Sequence, residues 1–161
     1  MASAVDGPGR VGQDAPVLHV PVIRLDPDLP LPSYAHEGDA GADLHARHDV
    51  LLVAGGGRDL VPTGIALALP AGHAGFVQPR SGLALRHGVT CLNTPGLIDC
   101  GYRDEVKVLL VNLDPDHDYQ VRRGDRIAQL VIQAVERATF TPGEALPGSH
   151  RNSGGFGSTG R

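Results

Sequence analysis

The chain has no tryptophan, three tyrosines, three phenylalanines, one methionine and two cysteines in 161 residues. With aromatics at 4% and 22 glycines and 13 prolines interrupting short Val, Ile and Leu runs, the composition disfavours a helical bundle. It favours many short strands joined by tight turns. Lys107 is the only lysine and the formal charge is -4, so there is no electrostatic footprint for a nucleic-acid polymer or an anionic membrane surface. The remaining basic residues are all arginine, which is either compositional bias or the guanidinium that bidentate phosphate recognition requires.

Cys91 and Cys100 form no C-x-x-C, and no apolar N-terminal stretch resembles a signal peptide. Free thiols and a cytoplasmic location are the expectation. Of the eight histidines only His45 and His48 are close, and on a strand a spacing of three sets them on opposite faces, which argues against a zinc site.

The length suits one domain with a real core. Residues 1–16, "MASAVDGPGRVGQDAP", are too small and polar to order themselves and read as a disordered leader. A β domain is expected over 17–148, followed by a flexible glycine-rich arm over 149–161. Within the domain, "TGIALALPAGHAGFVQP" predicts a hairpin around a Pro-Ala-Gly turn. "RSGLALRHGV" predicts a short helical turn capped by Ser81 and stopped by Gly88. "EVKVLLVNL" alternates and then becomes apolar on both faces. In "RIAQLVIQAVERATF", Ile127, Leu130, Val131, Ala134 and Val135 fit helical spacing as well as strand alternation; the β-branched content and the preceding Gly124-Asp125 favour a strand.

Chemistry is suggested first by "NTPGLIDCGYRDEV", which reads like the entrance to a buried strand and yet carries Asp99 after Leu97 and Ile98. An unpaired buried carboxylate is costly, so Asp99 is expected to be either paired or used. The tail matches G-x-G-x-x-G at Gly155, Gly157 and Gly160, but only Arg161 follows and no helix can hold a pyrophosphate there. No Gly-Lys-Ser/Thr marks a P-loop. The tail does hold Arg151, exposed glycine amides including Gly157, the hydroxyls of Ser158 and Thr159, and Phe156, an inventory suited to phosphate and a stacked base, or to a plain flexible tail.

Three further stretches have the same double reading. Asp39 and Asp43 in "DAGADLHA" suit a hard cation or a solvated strand end. Arg80, Ser81 and the Gly82 amide in "QPRSGLALR" suit a phosphate or a capped turn. Gln129 in "GDRIAQL" suits an inward amide donor or an outward polar residue.

Together, "AGADL", "PRSGLA", "NTPGLIDCGYRDEVKV", "GDRIAQL" and "RNSGGFGSTG" resemble, in order and spacing, the five motifs of the trimeric dUTP pyrophosphatases, the dUTPases. The resemblance implies an all-β, distorted jelly-roll (β-clip) subunit assembling as a homotrimer with active sites shared between subunits. It implies hydrolysis of dUTP to dUMP and pyrophosphate, limiting uracil incorporation into DNA and supplying dUMP for dTTP synthesis. Asp99 would be the general base for water attacking the α-phosphorus, assisted by Mg²⁺ whose water shell Asp43 would hold.

By the same likeness Arg80, Ser81, Gly82 and Gln129 hold phosphate oxygens. Asn93 and the backbone at Gly96 and Ile98 read uracil, and Tyr102 excludes a 2′-hydroxyl. Arg151, Phe156, Gly157, Ser158 and Thr159 would close over the nucleotide. Cys100, Asp104 and Asn152 depart from the commonest pattern, where Ser or Ala, Gly, and Gly stand; Asp104 adds a negative charge near the triphosphate site. Two alternatives share the fold: a dCTP deaminase, whose catalytic loop uses glutamate and which lacks "GGFGSTG", and a non-catalytic nucleotide-binding trimer.

Overall fold

Ten short strands and one helix account for the regular structure in the computed structural model, which describes residues 17–145 and 147–148. The expected leader and the arm from residue 149 lie outside the described residues. The strands are β1 (Val22–Arg24), β2 (Ala42–His45), β3 (Val50–Leu52), β4 (Arg58–Leu67), β5 (His73–Gln78), β6 (Val89–Cys91), β7 (Gly96–Ile98), β8 (Glu105–Asn112), β9 (Tyr119–Val121) and β10 (Arg126–Ala134); helix α1 is Ser81–His87. They form two four-stranded antiparallel sheets, ordered β1-β4-β8-β6 and β2-β10-β5-β7, with a two-stranded β3-β9 ribbon. The architecture is the all-β, jelly-roll-like one expected from the sequence.

Alternation explains how the sheets close on each other. On β8, Val106, Val108 and Leu110 point inward, and Val111 and Asn112 are buried as well. On β10, Ile127, Ala128 and Leu130 are buried, so this segment is a strand rather than a helix. These side chains meet Leu44, Leu52, Val61, Val89 and Val121 in one core. Burying a Leu or Val side chain contributes roughly 1.5–3 kcal/mol each.

The hairpin expected in "TGIALALPAGHAGFVQP" does not form. β4 pairs with β1 and β8, whereas β5 pairs with β10 and β7, so the Pro-Ala-Gly corner carries the chain from one sheet to the other. Both flanking runs are too apolar for one sheet with a wet face: Ile65, Ala66, Leu67 and Leu69 are buried before the corner and Ala74 and Val77 after it. Crossing over puts them on facing walls.

The helix start also differs from expectation. Arg80, extended at φ -94 and ψ 123, is the N-cap residue and Ser81 is already helical, with no side-chain cap. The Arg80 carbonyl accepts the amides of Leu83 and Ala84. Gly88 does end the helix, in the left-handed conformation at φ 63, and a Cβ there would lie 2.8 Å from the Asp114 nitrogen.

Asn112 is the fully buried amide that ties three segments together. Its Nδ2 donates to the carbonyls of Leu52 (3.0 Å) and His117 (2.8 Å), and its Oδ1 accepts the Asp114 amide at 3.0 Å. Asn112→Ala would strand all three backbone groups, at about 1–3 kcal/mol for each buried group left unsatisfied. A drop in unfolding free energy of about 3 kcal/mol is therefore expected from denaturant melts at fixed protein concentration; a loss under 1 kcal/mol would mean that water replaces the amide.

Candidate active site

Strand β10 lies between β2 and β5, with Gln129 opposite Asp43 on one side and opposite Gln78 on the other. Directly opposed residues share a face, so three polar side chains form a row across a sheet whose other face is core. Gln129 is half-buried, and its Nε2 donates to the Pro79 carbonyl at 3.3 Å. Gly41 permits this packing, since a Cβ there would stand 2.5 Å from Gln129 Oε1.

Around this row opens a cleft of about 270 Å³, lined by His36, Asp39, Gly41 and Asp43, by Arg80, Ser81 and Gly82 at the start of α1, and by Arg126 and Gln129. Asp43 is held from two sides: Arg80 Nε lies 3.3 Å from Oδ1, and Arg126 Nη1 donates to Oδ2 at 3.1 Å. Asp39 points differently, its Oδ2 accepting the His36 amide at 2.8 Å. Arg80 and Arg126 bring guanidinium donors that an anion can accept, set in the same cleft against the carboxylates of Asp43 and Asp39.

Arg126 was not singled out from the sequence. Three residues from Gln129, it should face the other way on a regular strand. A register shift between Arg126 and Ala128 supplies the extra residue, with Ile127 and Ala128 both buried, and returns Arg126 to the cleft face. A pair of consecutive apolar residues between two polar ones was the available signal.

A second group of expected site residues surrounds β7 and does not line this cleft. Among the described residues β7 is an edge strand of its sheet, pairing only with β5 through Gly96–Val77, Leu97–Phe76 and Ile98–Gly75. Its other side offers unpaired backbone donors and acceptors. Asn93 is exposed in the preceding turn, and a Cβ on Gly96 would sit 3.3 Å from Asn93 Nδ2 and from Val77 Cβ. Thr94 Oγ1 donates to Gln78 Oε1 at 3.2 Å, linking this turn to the polar row.

Asp99 is exposed, which corrects the expectation of a buried site: β7 ends at Ile98, and among the described residues the carboxylate makes no hydrogen bond or ion pair. The loop after it is closed on itself. The Tyr102 amide donates to the Asp99 carbonyl at 3.0 Å, the Tyr102 hydroxyl donates to the Glu105 carbonyl at 2.8 Å, and Arg103 Nη1 donates to the carbonyls of Cys100 and Tyr102, both at 2.7 Å. Asp104 faces away from this closure; its Oδ1 accepts the Glu105 amide and its Oδ2 lies 3.8 Å from Lys107 Nζ.

Cys100 is half-buried, and burial pushes the Cys91 thiol up to about 11. His45 ends β2 while His48 lies beyond it, and burial lowers the His45 pKa against the pull of Asp43. Among the described residues no three His, Cys, Asp or Glu side chains converge to hold a metal ion, and no helix is long and apolar enough to cross a membrane. Arg151, Phe156, Gly157, Ser158 and Thr159 lie outside the described residues.

Comparison with known proteins places the chain among dUTPases. The dUTPase family model matches residues 28–160. The deoxyuridine 5'-triphosphate nucleotidohydrolase of Thermobifida fusca is 61% identical over 143 residues, covering 89% of this chain and 79% of its own. That of Corynebacterium glutamicum is 54% identical over 142 residues, covering 88% of this chain and 95% of its own. Among solved structures, the Staphylococcus bacteriophage 80alpha dUTPase with dUPNHPP matches with a TM-score of 0.79 at 25% identity, over 89% of this chain and 99% of that one. A dUTPase variant of phage phi11 of S. aureus, described as coordinating a structural Mg(II) ion, shares the fold with a TM-score of 0.71 at 22% identity.

Proposed function

The chain belongs to the dUTPase family, and we propose that it hydrolyses dUTP to dUMP and pyrophosphate at a site assembled from two surfaces of neighbouring subunits in a homotrimer. The carrying observation is the cleft in which Arg80, Ser81, Gly82, Arg126 and Gln129 converge around Asp43 from three separate elements. Its guanidiniums, the Ser81 hydroxyl, the Gly82 amide and the Gln129 amide supply donors for polyphosphate oxygens. The nucleoside end falls to the β7 surface: the free edge at Gly96 and Ile98 and the Asn93 amide pair with the uracil edge, and the Tyr102 ring underlies the deoxyribose, leaving no space for a 2′-hydroxyl.

Asp99 acts as general base, taking a proton from water as the water oxygen attacks the α-phosphorus and the bond to the bridging oxygen of the leaving pyrophosphate breaks. Arginine and amide donors on the phosphate side stabilise the charge that gathers on the leaving oxygens. Arg151, Phe156, Gly157, Ser158 and Thr159 are assigned the closure over the nucleotide on the strength of their motif.

The cleft residues fit a magnesium ion that arrives with the triphosphate. Both Asp43 oxygens are engaged by guanidiniums, which suits contact through water rather than direct ligation, and Asp39 adds a second carboxylate to the cleft. When bound, the ion neutralises charge on the phosphate oxygens.

The Asp99 and Tyr102 surface does not line the Arg80–Gln129 cleft of the same chain, which fits a site shared between subunits. An apolar strip supports self-association: Leu60 (50% exposed) opposes the half-buried Leu109 across β4-β8, and Leu92 (47% exposed) follows on the far side of β8, where its amide donates to the Leu109 carbonyl. A row of outward leucines on a sheet face is the surface an oligomer covers.

The direct test is product analysis. Pyrophosphate release is expected from dUTP, with no ammonia from dCTP; ammonia would make the enzyme a deaminase, and neither product would leave a binding protein. Asp99→Asn is expected to bind dUTP and to turn over ~10² to 10⁴ more slowly, and retention of half the native rate would place the base elsewhere. Sharing between subunits is checked by co-refolding equal amounts of Asp99→Asn and Arg80→Ala chains. If base and phosphate grip come from different subunits, about one quarter of the sites in random trimers regain both groups; activity equal to the summed separate controls, with mixed trimers verified by native mass spectrometry, would put both groups on one chain.

A further inference from the structure

Glu105 has no part in the chemistry above, yet its carboxylate is only 13% exposed and held from two directions. Arg47 Nη1 reaches both oxygens at 3.3 Å, and the Gly64 amide donates to Oε1 at 2.8 Å. Arg47 is itself fixed, its Nη2 donating to the Leu25 carbonyl at 2.9 Å and its Nε lying 3.9 Å from Asp26. Asp26 is gripped in turn by Arg123 Nη2 at 2.9 and 3.0 Å.

This cluster sits where the backbone ladder is weakest. The β4-β8 register runs from Arg58–Val111 to Pro62–Lys107 and then jumps to Ala66–Glu105. Two steps along β8 therefore answer four along β4, and Glu105 enters the sheet without regular pairing on either side of it. Gly64, inside the jump, has φ +73, and a Cβ there would stand 2.9 Å from Asp26 Cβ. The Glu105 side chain takes the Gly64 amide that the broken ladder would otherwise leave unpaired.

The backbone carbonyl of this same residue accepts the Tyr102 hydroxyl. Tyr102 is 36% exposed, and among the described residues its hydroxyl contact to Glu105 is the one hydrogen bond that fixes the direction of its ring. We propose that Glu105 is a positioning residue for sugar selection: clamped by Arg47 and the Gly64 amide, it fixes the carbonyl that anchors Tyr102 and so holds the ring where a 2′-hydroxyl would collide. This rests on the reading of Tyr102 as the sugar-facing residue.

The readout is the ratio of kcat/KM for dUTP over UTP, in which the concentration of active enzyme cancels. A Glu105 that merely supported the fold would lower the melting temperature and the active fraction and leave the ratio unmoved. Tyr102→Phe and Glu105→Ala are each expected to lower the ratio about five-fold, the share of one neutral hydrogen bond. The double variant should fall no further, because both changes release the same anchor. Glu105→Gln, which still accepts the Gly64 amide, should stay within about two-fold of the native ratio.

Tyr102→Ala tests the underlying reading: an unchanged ratio would remove Tyr102 from sugar selection altogether. If Tyr102→Ala relaxes the ratio while Tyr102→Phe and Glu105→Ala do not, the reading survives and the positioning role is overturned. Should Glu105→Ala fail to fold, Arg47→Met and Tyr102→Phe decide the matter by the same ratio.

Discussion

The pairing of β10 on both of its edges is the constraint from which the cleft follows. Register places Gln129 opposite Asp43 and Gln78 at once, and a slip of β10 by one residue would turn Gln129 into the core and break the row. What prevents the slip is the apolar set on the other face, Ile127, Ala128 and Leu130 with Leu44 and Val77. Hydrophobic burial thus fixes the geometry of a polar site that contributes little to the burial itself. The irregularity between Arg126 and Ala128 serves the same end, because it brings a second arginine to Asp43 while keeping the apolar residues inside.

Asp43 preorganises the cleft for the phosphate role proposed for it. A lone carboxylate among phosphate-binding groups would repel the ligand, but one shared between Arg80 and Arg126 holds both guanidiniums in place and spares them reorganisation on binding. On the other surface the working groups are arranged oppositely. Asp99 is open to solvent and the outer edge of β7 is unpaired among the described residues, while the loop that follows Asp99 is closed by its own hydrogen bonds. One half of the proposed site is a preformed charge cradle and the other a hydrogen-bonded loop beside an exposed carboxylate, as the proposed binding of a nucleotide between two copies requires.

Stability and specificity meet at the start of β8. The Arg47, Glu105, Asp26 and Arg123 cluster fastens the β1–β2 region, the β4 irregularity and the β9–β10 turn to one another, and the same anchor point carries the hydroxyl of Tyr102. Fully exposed ion pairs contribute little. These side chains are partly buried and linked in series, so their effect is on where the backbone lies.

Local chemistry made much of this legible in the residues alone. Alternation identified β8 and β10 as strands, a glycine marked the end of α1, and five short motifs in order named the family and most of the candidate site, because residues that touch phosphate or a base are limited to a few types. Tertiary structure decided what depends on contacts between distant segments. It sent β4 and β5 to different sheets, since two apolar runs bury more on facing walls than side by side. It made Arg80 the helix cap residue, turned Arg126 into the cleft through a bulge, and left Asp99 exposed at the end of a three-residue strand. The role of Glu105 was the least visible of all: its partners Arg47 and Gly64 are far away in sequence, and only folding brings a charge, an amide and a tyrosine hydroxyl to the same residue.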